Sequence, residues 1–232
     1  MSYKILLFDL DDTLLDFKVN EADSLNKLFQ QYGYTFSDEL FQVYNTVNKQ
    51  LWADYENGKI VLDDVLNSRF SQTMSLLEEV VDGKEWDDQY RELLGNGCQL
   101  IDGALELCQS LSASHRLFVV TNGITHTQIK RLKLSGLYEF FEDIFDSQSI
   151  GFQKPSKEFF DHVINNIKGF CVDDALIIGD SLNTDIKGGI LSGIDTCWIN
   201  RKAQKFNEEI QSTYMISSLA ELYPICTPMK KV

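Results

Sequence analysis

Four polar clusters in the sequence contain the residue types that handle phosphate groups and divalent cations. They are Asp9-Leu10-Asp11-Asp12-Thr13, Thr121-Asn122-Gly123, Lys154-Pro155 and Gly179-Asp180-Ser181-Leu182-Asn183-Thr184-Asp185. Asp9 and Asp11 are two residues apart, so both can project the same way where a strand ends. This spacing suits a nucleophile at Asp9, which attacks phosphorus and becomes an aspartyl-phosphate. Asp11 is then placed to act first as the general acid that protonates the leaving oxygen and later as the base that activates water.

The other clusters offer groups that can hold an anion. The Thr121 hydroxyl and the backbone N–H groups of Asn122 and Gly123 can bind phosphate oxygens, and Lys154 brings positive charge to the nucleophile. We expect Pro155 to open the next helix, where its missing N–H costs nothing. Together these residues have the chemistry that phosphoryl transfer requires.

The acidic residues of these clusters predict a metal site. Asp9, Asp11, Asp180 and Asp185 would bring four carboxylates into a small space. Each close pair repels by roughly 1–4 kcal/mol at surface-like dielectric, so a cation must neutralise the group. Hard oxygen ligands favour Mg²⁺, with Mn²⁺ as a substitute ion.

Short apolar runs predict the strands that position these clusters. They cover residues 5–8, 117–120, 175–178 and 196–199, with a shorter run at 144–145. Continuous apolar runs suit strands that are covered on both faces, and helical patterns separate them. The alternation predicts an α/β fold with a doubly wound, Rossmann-like parallel sheet. In such sheets ligands bind outside the carboxyl ends of the strands, so the four clusters should converge there.

A helical module interrupts this alternation. Between about residues 17 and 95 there is no strand-like run, and the pattern predicts helices at 19–32, 37–56, 63–81 and 84–94. We therefore predict two domains. Residues 1–15 and 96–232 form the α/β core, and residues 16–95 form the inserted helical domain.

Composition excludes several function classes. The 35 acidic and 21 basic residues give a formal charge of −14, which disfavours binding to nucleic acids and to anionic membranes. Five scattered cysteines without a CxxC pair indicate reduced thiols and a cytoplasmic location. No signal peptide and no run of about 18 apolar residues is evident. A small phosphorylated metabolite remains as the expected partner. We expect the protein to be a monomer or a homodimer.

The four clusters, in this order and each near a strand end, resemble the motifs of the haloacid dehalogenase (HAD) superfamily of phosphotransferases. The resemblance implies that the metal ligands are the Asp9 side chain, the Asp11 backbone carbonyl and Asp180. It implies that Asp185 acts on the metal through water or orients Asp180. An Asp at position 11 implies a phosphatase or mutase, because superfamily ATPases carry Thr there and dehalogenases lack this acid. The helical insertion resembles a small cap domain that selects the substrate.

A finer resemblance covers most of the chain. Residues 44–58, Arg69-Phe70, Gln128 with Arg131-Leu132, and Asp185-Ile186-Lys187-Gly188-Gly189-Ile190 with Thr196-Cys197-Trp198 are similar to YjjG-type pyrimidine 5′-nucleotidases. This implies a Mg²⁺-dependent phosphoric monoester hydrolase acting on nucleoside monophosphates such as UMP, dUMP and dTMP.

The inserted module contains candidate substrate-binding residues. Trp52 could stack on a planar base, and Asn48 or Lys49 could reach a ribose or phosphate. The competing interpretation is structural, because aromatic residues at helical spacing usually belong to a core.

Two other functions remain open from the sequence. The same chemistry could serve a phosphatase of small sugar or carboxylic acid phosphates, of the phosphoglycolate type, or a sugar-phosphate mutase. A non-enzymatic phosphate sensor or partner-binding protein would be expected to lack a catalytic carboxylate, and none is missing here.

Overall fold

Strands alternate with helices along most of the chain in the computed structural model, which describes residues 3–201, 203–204 and 209–226. The strands are β1 Ile5–Phe8, β2 Arg116–Thr121, β3 Asp143–Asp146, β4 Ala175–Gly179, β5 Asp195–Ile199 and β6 Tyr214–Ile216. The helices are α1 Phe17–Gln31, α2 Asp38–Glu56, α3 Leu62–Ser75, α4 Gly83–Leu94, α5 Ala104–Ser112, α6 Thr125–Ser135, α7 Ser147–Ile150, α8 Lys157–Asn166, α9 Lys187–Leu191 and α10 Tyr223–Cys226.

The strands form one parallel sheet in the order β3-β2-β1-β4-β5-β6. Successive side chains of β1 enter two different cores, because strand residues alternate between faces. Leu6 and Phe8 belong to one apolar cluster, and Ile5 and Leu7 belong to the other. The predicted α/β, doubly wound parallel sheet is confirmed.

The chain separates into two compact units. One comprises Met1–Asp16 and Cys98–Val232, and the other comprises Phe17–Gly97. We call them the sheet unit and the helical unit. The helical unit contains α1 to α4 and has its own aromatic core, in which Phe29 packs edge-on against Phe70 and Trp86. Two of its helices, α2 and α4, begin at side-chain caps, since Ser37 accepts from Leu40 N and Asp82 accepts from Glu85 N.

Three local expectations were wrong or incomplete. Helix α3 ends at Ser75 rather than at residue 81, and Glu78 has a left-handed φ of 62° that helix geometry does not allow. Pro155 does not open a helix, because α8 begins at Lys157 and Ser156 caps it by accepting from Phe159 N. Strand β6 was not predicted; it has only three residues, of which Met215 is exposed.

Within the described part of the chain, no helix combines the length and the apolar character needed to span a membrane.

Candidate active site

The candidate site lies at the carboxyl ends of three neighbouring strands. Asp9 follows β1, Thr121 ends β2, and Asp180 follows β4. Because β2 and β4 flank β1 in the sheet, residues more than 100 positions apart in sequence reach the same edge. The sheet order therefore makes neighbours of the predicted clusters.

Three carboxylates gather at this edge. One oxygen from each of Asp9, Asp180 and Asp185 lies within 4.8 Å of the others. Asp9 and Asp185 are buried and Asp180 is half-buried. Burial raises the pKa of Asp9 well above its usual value, the Lys154 ammonium lowers it, and Asp185 and Asp180 raise it further. The net upward shift of the Asp9 pKa means that Lys154 does not outweigh the combined effect of burial and the two neighbouring carboxylates.

Lys154 is buried within this cluster, and its ammonium group has three acceptors. Nζ donates to Asp9 Oδ1 at 2.8 Å, to Asp185 Oδ1 at 2.6 Å and to the Val120 carbonyl at 2.8 Å. Burial alone would lower the pKa of Lys154, but the Asp185 and Asp9 carboxylates outweigh it and raise the pKa above its usual value. Lys154 is therefore a fixed cation between the two carboxylates.

Asn122 holds the Lys154 backbone in place, which the sequence did not indicate. Its Nδ2 donates to the Lys154 carbonyl at 3.0 Å, and its Oδ1 accepts from Lys154 N at 2.8 Å. The side chain thus satisfies both backbone groups of one residue across 32 positions of sequence. This accounts for an amide at position 122 independently of any contact with substrate.

A close backbone approach places Asp185. The residue lies in a π-helical turn, Leu182–Ile186, and its Oδ2 accepts from Ser181 N at 3.1 Å. A Cβ atom on Gly179 would lie 2.2 Å from Asp185 Oδ2, far inside van der Waals contact. Glycine at the end of β4 is therefore required for the Asp185 carboxylate to reach Lys154.

Asp9 and Asp11 have different partners although they are only two residues apart. The Asp11 carboxylate is about a third exposed; its Oδ2 accepts from Gln128 Nε2 at 2.7 Å, and its Oδ1 pairs with Arg131 Nη1. Gln128 Nε2 also donates to Thr121 Oγ1 at 3.1 Å. Sequence reasoning gave neither Gln128 nor Arg131 a role; the signal available was their three-residue spacing on the helix after Thr121-Asn122-Gly123.

Gly123 contributes to the same loop. Its backbone N donates to Thr121 Oγ1 at 3.0 Å, so this N–H, expected to hold a phosphate oxygen, has an acceptor within its own loop.

The remaining candidates, Asn48, Lys49 and Trp52, lie on α2 in the helical unit. Trp52 is half-buried and packs edge-on against Tyr55, with ring centroids 5.8 Å apart. Lys49 is exposed, whereas Asn48 is buried and donates to Glu21 Oε1 at 3.3 Å. These contacts are all made within the helical unit.

The acidic cluster fits a hard divalent cation. Its donors are carboxylate oxygens, Lys154 bonds to Asp9 and Asp185, and Asp180 is only half-buried. Oxygen donors with an accessible side are the coordination that Mg²⁺ prefers.

The comparison with protein families identifies the family of the chain. Residues 6–199 match the family model described as haloacid dehalogenase-like hydrolase. The chain belongs to the haloacid dehalogenase-like hydrolases. The predictions of a HAD-superfamily chain and of a hydrolase are therefore confirmed.

Three relatives of the HAD-like chain cover almost its whole length. The HAD-hydrolase YfnB of Bacillus subtilis is 47% identical over 96% of this chain and 95% of its own. Pyrimidine 5′-nucleotidase PynA of Streptococcus pneumoniae is 38% identical over 96% of this chain and 94% of its own. Pyrimidine 5′-nucleotidase YjjG of Escherichia coli is 32% identical over 96% of this chain and 97% of its own.

A crystal structure of YfnB bound to magnesium is also similar. It has a TM-score of 0.93 and 46% sequence identity, and the match covers 97% of this chain and 99% of that one.

Proposed function

We propose that this HAD hydrolase is a Mg²⁺-dependent phosphatase that removes the phosphoryl group of pyrimidine nucleoside 5′-monophosphates through an aspartyl-phosphate on Asp9. The observation that carries the phosphatase chemistry is the gathering of Asp9, Asp180 and Asp185, two of which, Asp9 and Asp185, bond to Lys154. A cluster with more carboxylates than cations calls for a divalent ion and can accept a phosphate dianion only when that ion is bound.

The Asp9 and Asp180 side chains and the Asp11 backbone carbonyl would hold the ion, with Asp185 acting through water or orienting Asp180. The bound Mg²⁺ would supply charge neutralisation between the Asp9 carboxylate and the phosphoryl oxygens. Burial of the site limits competing attack by bulk water.

The chain's own residues divide the reaction into two steps. Asp9 attacks phosphorus, and the bond from phosphorus to the nucleoside oxygen breaks while Asp11 protonates that oxygen. Asp11 then removes a proton from the water that attacks the aspartyl-phosphate, which regenerates Asp9 and releases phosphate. Lys154 stabilises the charge on Asp9 and on the phosphoryl group, and the Thr121 hydroxyl donates to a phosphoryl oxygen.

The substrate class rests on similarity to two proteins named pyrimidine 5′-nucleotidases, with 38% and 32% identity along nearly the whole chain. We propose that residues 16–95 act as the cap domain and that Trp52, Asn48 and Lys49 contribute to nucleotide selection. The Trp52→Ala variant should raise KM for UMP more than KM for an aryl phosphate, while Gln50→Ala on the same helix should change neither. An equal change for both substrates would assign Trp52 to the core of its unit.

A phosphate-release screen tests the proposal. The wild-type chain is assayed with Mg²⁺ against UMP, dUMP, dTMP, purine nucleotides, phosphoglycolate and sugar phosphates. We expect the highest kcat/KM for the pyrimidine nucleotides and no activity after chelation with EDTA. Preference for phosphoglycolate or a sugar phosphate would favour the small-metabolite phosphatase instead. Conversion of one sugar phosphate to an isomer without phosphate release would identify a mutase.

A further inference from the structure

Two buried polar side chains on α6 form a network beside the candidate site. Gln128 and Arg131 are each about 1% exposed, although the proposed reaction assigns them no role. They are three residues apart and lie on the same side of the helix that follows the loop of Thr121, Asn122 and Gly123. Buried polar groups of this kind persist when their hydrogen bonds are satisfied, so their partners show what they position.

The chemistry of the partners fixes the orientation of the Gln128 amide. Arg131 Nη1 donates to Gln128 Oε1 at 2.9 Å and pairs with Asp11 Oδ1. Since a guanidinium is a donor only, the oxygen of the amide must face Arg131, and Nε2 must face the opposite way. Nε2 then donates to two acceptors, Asp11 Oδ2 at 2.7 Å and Thr121 Oγ1 at 3.1 Å.

With the amide in this orientation, the Thr121 hydroxyl can form only one more hydrogen bond, as a donor. Its oxygen accepts from Gln128 Nε2 and from Gly123 N, which uses both lone pairs. Among residues 3–201, 203–204 and 209–226, the structure gives no acceptor for the hydroxyl hydrogen. The hydroxyl is therefore prepared to donate, as an anionic phosphoryl oxygen requires.

The position of the amide also explains the glycine at 123. A Cβ atom there would lie 2.1 Å from Gln128 Nε2. A side chain at position 123 would push the amide away from Thr121 and Asp11.

We propose that Gln128 is a positioning residue of the reaction and that Arg131 holds its amide in the active orientation. Because Gln128 donates to the Thr121 oxygen, the Thr121 hydroxyl hydrogen is left to bond to the phosphoryl group. Gln128 and Arg131 together hold the Asp11 carboxylate in one orientation. Both residues act through the groups they contact, Asp11 and Thr121, and the proposal gives neither of them a bond to the phosphoryl group. This inference rests on the proposed phosphatase function, because it concerns the residues that this function assigns to phosphate binding and proton transfer.

Two substitutions test the inference. Gln128→Glu keeps the size of the side chain but replaces the donor by a carboxylate that repels Asp11. Gln128→Leu removes all three hydrogen bonds of the amide without adding charge. The matched control is Gln109→Glu, the same change at an exposed position of α5 in the sheet unit.

The readout is kcat/KM for a nucleoside monophosphate and for p-nitrophenyl phosphate, because this ratio covers only the steps up to the aspartyl-phosphate. A nucleoside oxygen is a poor leaving group that needs protonation by Asp11, whereas p-nitrophenolate leaves without it. We expect both Gln128 variants to lose about 10–100-fold on the nucleotide, with a clearly smaller loss on the aryl phosphate. Gln109→Glu should match the wild type on both substrates.

The controls separate this inference from the proposed function. Circular dichroism and thermal unfolding confirm folding, and if Gln128→Glu does not fold, Gln128→Leu decides. If the wild type is active and the folded Gln128 variants lose activity equally on both substrates, the positioning of Asp11 is overturned. If they lose activity on neither substrate, the positioning of Thr121 is overturned as well. Both results leave the proposed phosphatase function standing. A wild-type chain that releases phosphate from no ester overturns both proposals.

Discussion

The two units of the molecule each contain a cluster of charged side chains with a buried centre, and the clusters differ in composition. In the helical unit, Arg69 Nε donates to Asp87 Oδ1 at 2.6 Å and Arg91 Nε donates to Asp87 Oδ2 at 2.6 Å. Arg91 also pairs with Asp88, and the Arg69 guanidinium lies 4.7 Å from the Tyr90 ring centroid. Two cations and two carboxylates thus neutralise one another within this cluster.

The cluster of the sheet unit is not balanced in this way. The carboxylates of Asp9, Asp180 and Asp185 lie close together, and among the described residues the bonds shown from an ammonium group run from Lys154 to Asp9 and Asp185. Like charges at such distances repel unless a cation joins them. The comparison teaches that burial of charge alone does not indicate function. A balanced buried cluster can support the fold, whereas an excess of one sign points to a ligand of the opposite sign.

The largest expected effect is on activity in the sheet unit. Asp9→Asn removes the nucleophile and should lower kcat by about 10,000-fold or more, as loss of a covalent nucleophile does in other enzymes. The pKa of Asp9 is raised by burial, so the fold disfavours its charged form. A neutral Asn should therefore leave the metal-free protein as stable as the wild type or more stable, as measured by urea unfolding. Near-normal kcat would refute the assignment of the nucleophile.

The helical unit should respond in the opposite way. Asp87→Asn leaves Arg69 buried without its carboxylate and should lower the free energy of unfolding by about 3–5 kcal/mol. Activity per folded molecule should change far less than in Asp9→Asn. The control is Asp88→Asn, because Asp88 is half-exposed and should cost at most about 1 kcal/mol. Equal stabilities of the two variants would contradict a supporting role for the buried cluster.

Mg²⁺ should stabilise only the unbalanced cluster. At about 100 times its Kd, a ligand that binds the native state alone adds about 2.7 kcal/mol to the free energy of unfolding. We expect Mg²⁺ to raise the Tm of the wild type and not that of Asp180→Asn, whereas the exposed control Asp173→Asn should behave like the wild type. A Tm increase that survives in Asp180→Asn would place the ion elsewhere.

Cysteine labelling should show the smallest effect. It compares buried and exposed thiols within the sheet unit. All five cysteines belong to the sheet unit, and burial raises the pKa of Cys108, Cys197 and Cys226 to about 12. At about pH 8 these thiols are almost entirely protonated in the native state and should react with iodoacetamide only when the unit opens.

Exposed Cys171 is the internal control for this labelling and should react first. Mass spectrometry of the digested protein should show that Mg²⁺ slows labelling of the buried thiols and leaves Cys171 unchanged. Equal slowing at all positions would indicate an effect on the reagent rather than on the fold.

The sequence predicts the parts of the fold that depend on strong local patterns. Continuous apolar runs identified β1 and β4, and the polar residues at their ends identified Asp9 and Asp180, because a parallel sheet aligns strand ends. The three residues of β6 gave too short a pattern, since Met215 is exposed. The apolar residues after Ser75 suggested a longer α3, but Leu76 is largely exposed and contributes little burial to extend the helix.

The supporting contacts of the site could not be predicted in the same way. Gln128 and Arg131 are polar residues on a helix, and the sequence does not distinguish a buried hydrogen-bonded pair from a solvated face. The hydrogen bonds of Asn122 to the Lys154 backbone depend on how two loops meet in the folded sheet unit. Such contacts follow from tertiary structure and not from local spacing.

The most direct test of the central claim is to trap the aspartyl-phosphate. The wild type is mixed with UMP and Mg²⁺, quenched rapidly in acid and digested, and the peptides are examined by mass spectrometry. We predict one added phosphoryl group on the peptide that contains Asp9, lost when Mg²⁺ is omitted and absent in Asp9→Asn. Phosphate release by the wild type with the phosphoryl group found on another residue, or on none, would contradict the account.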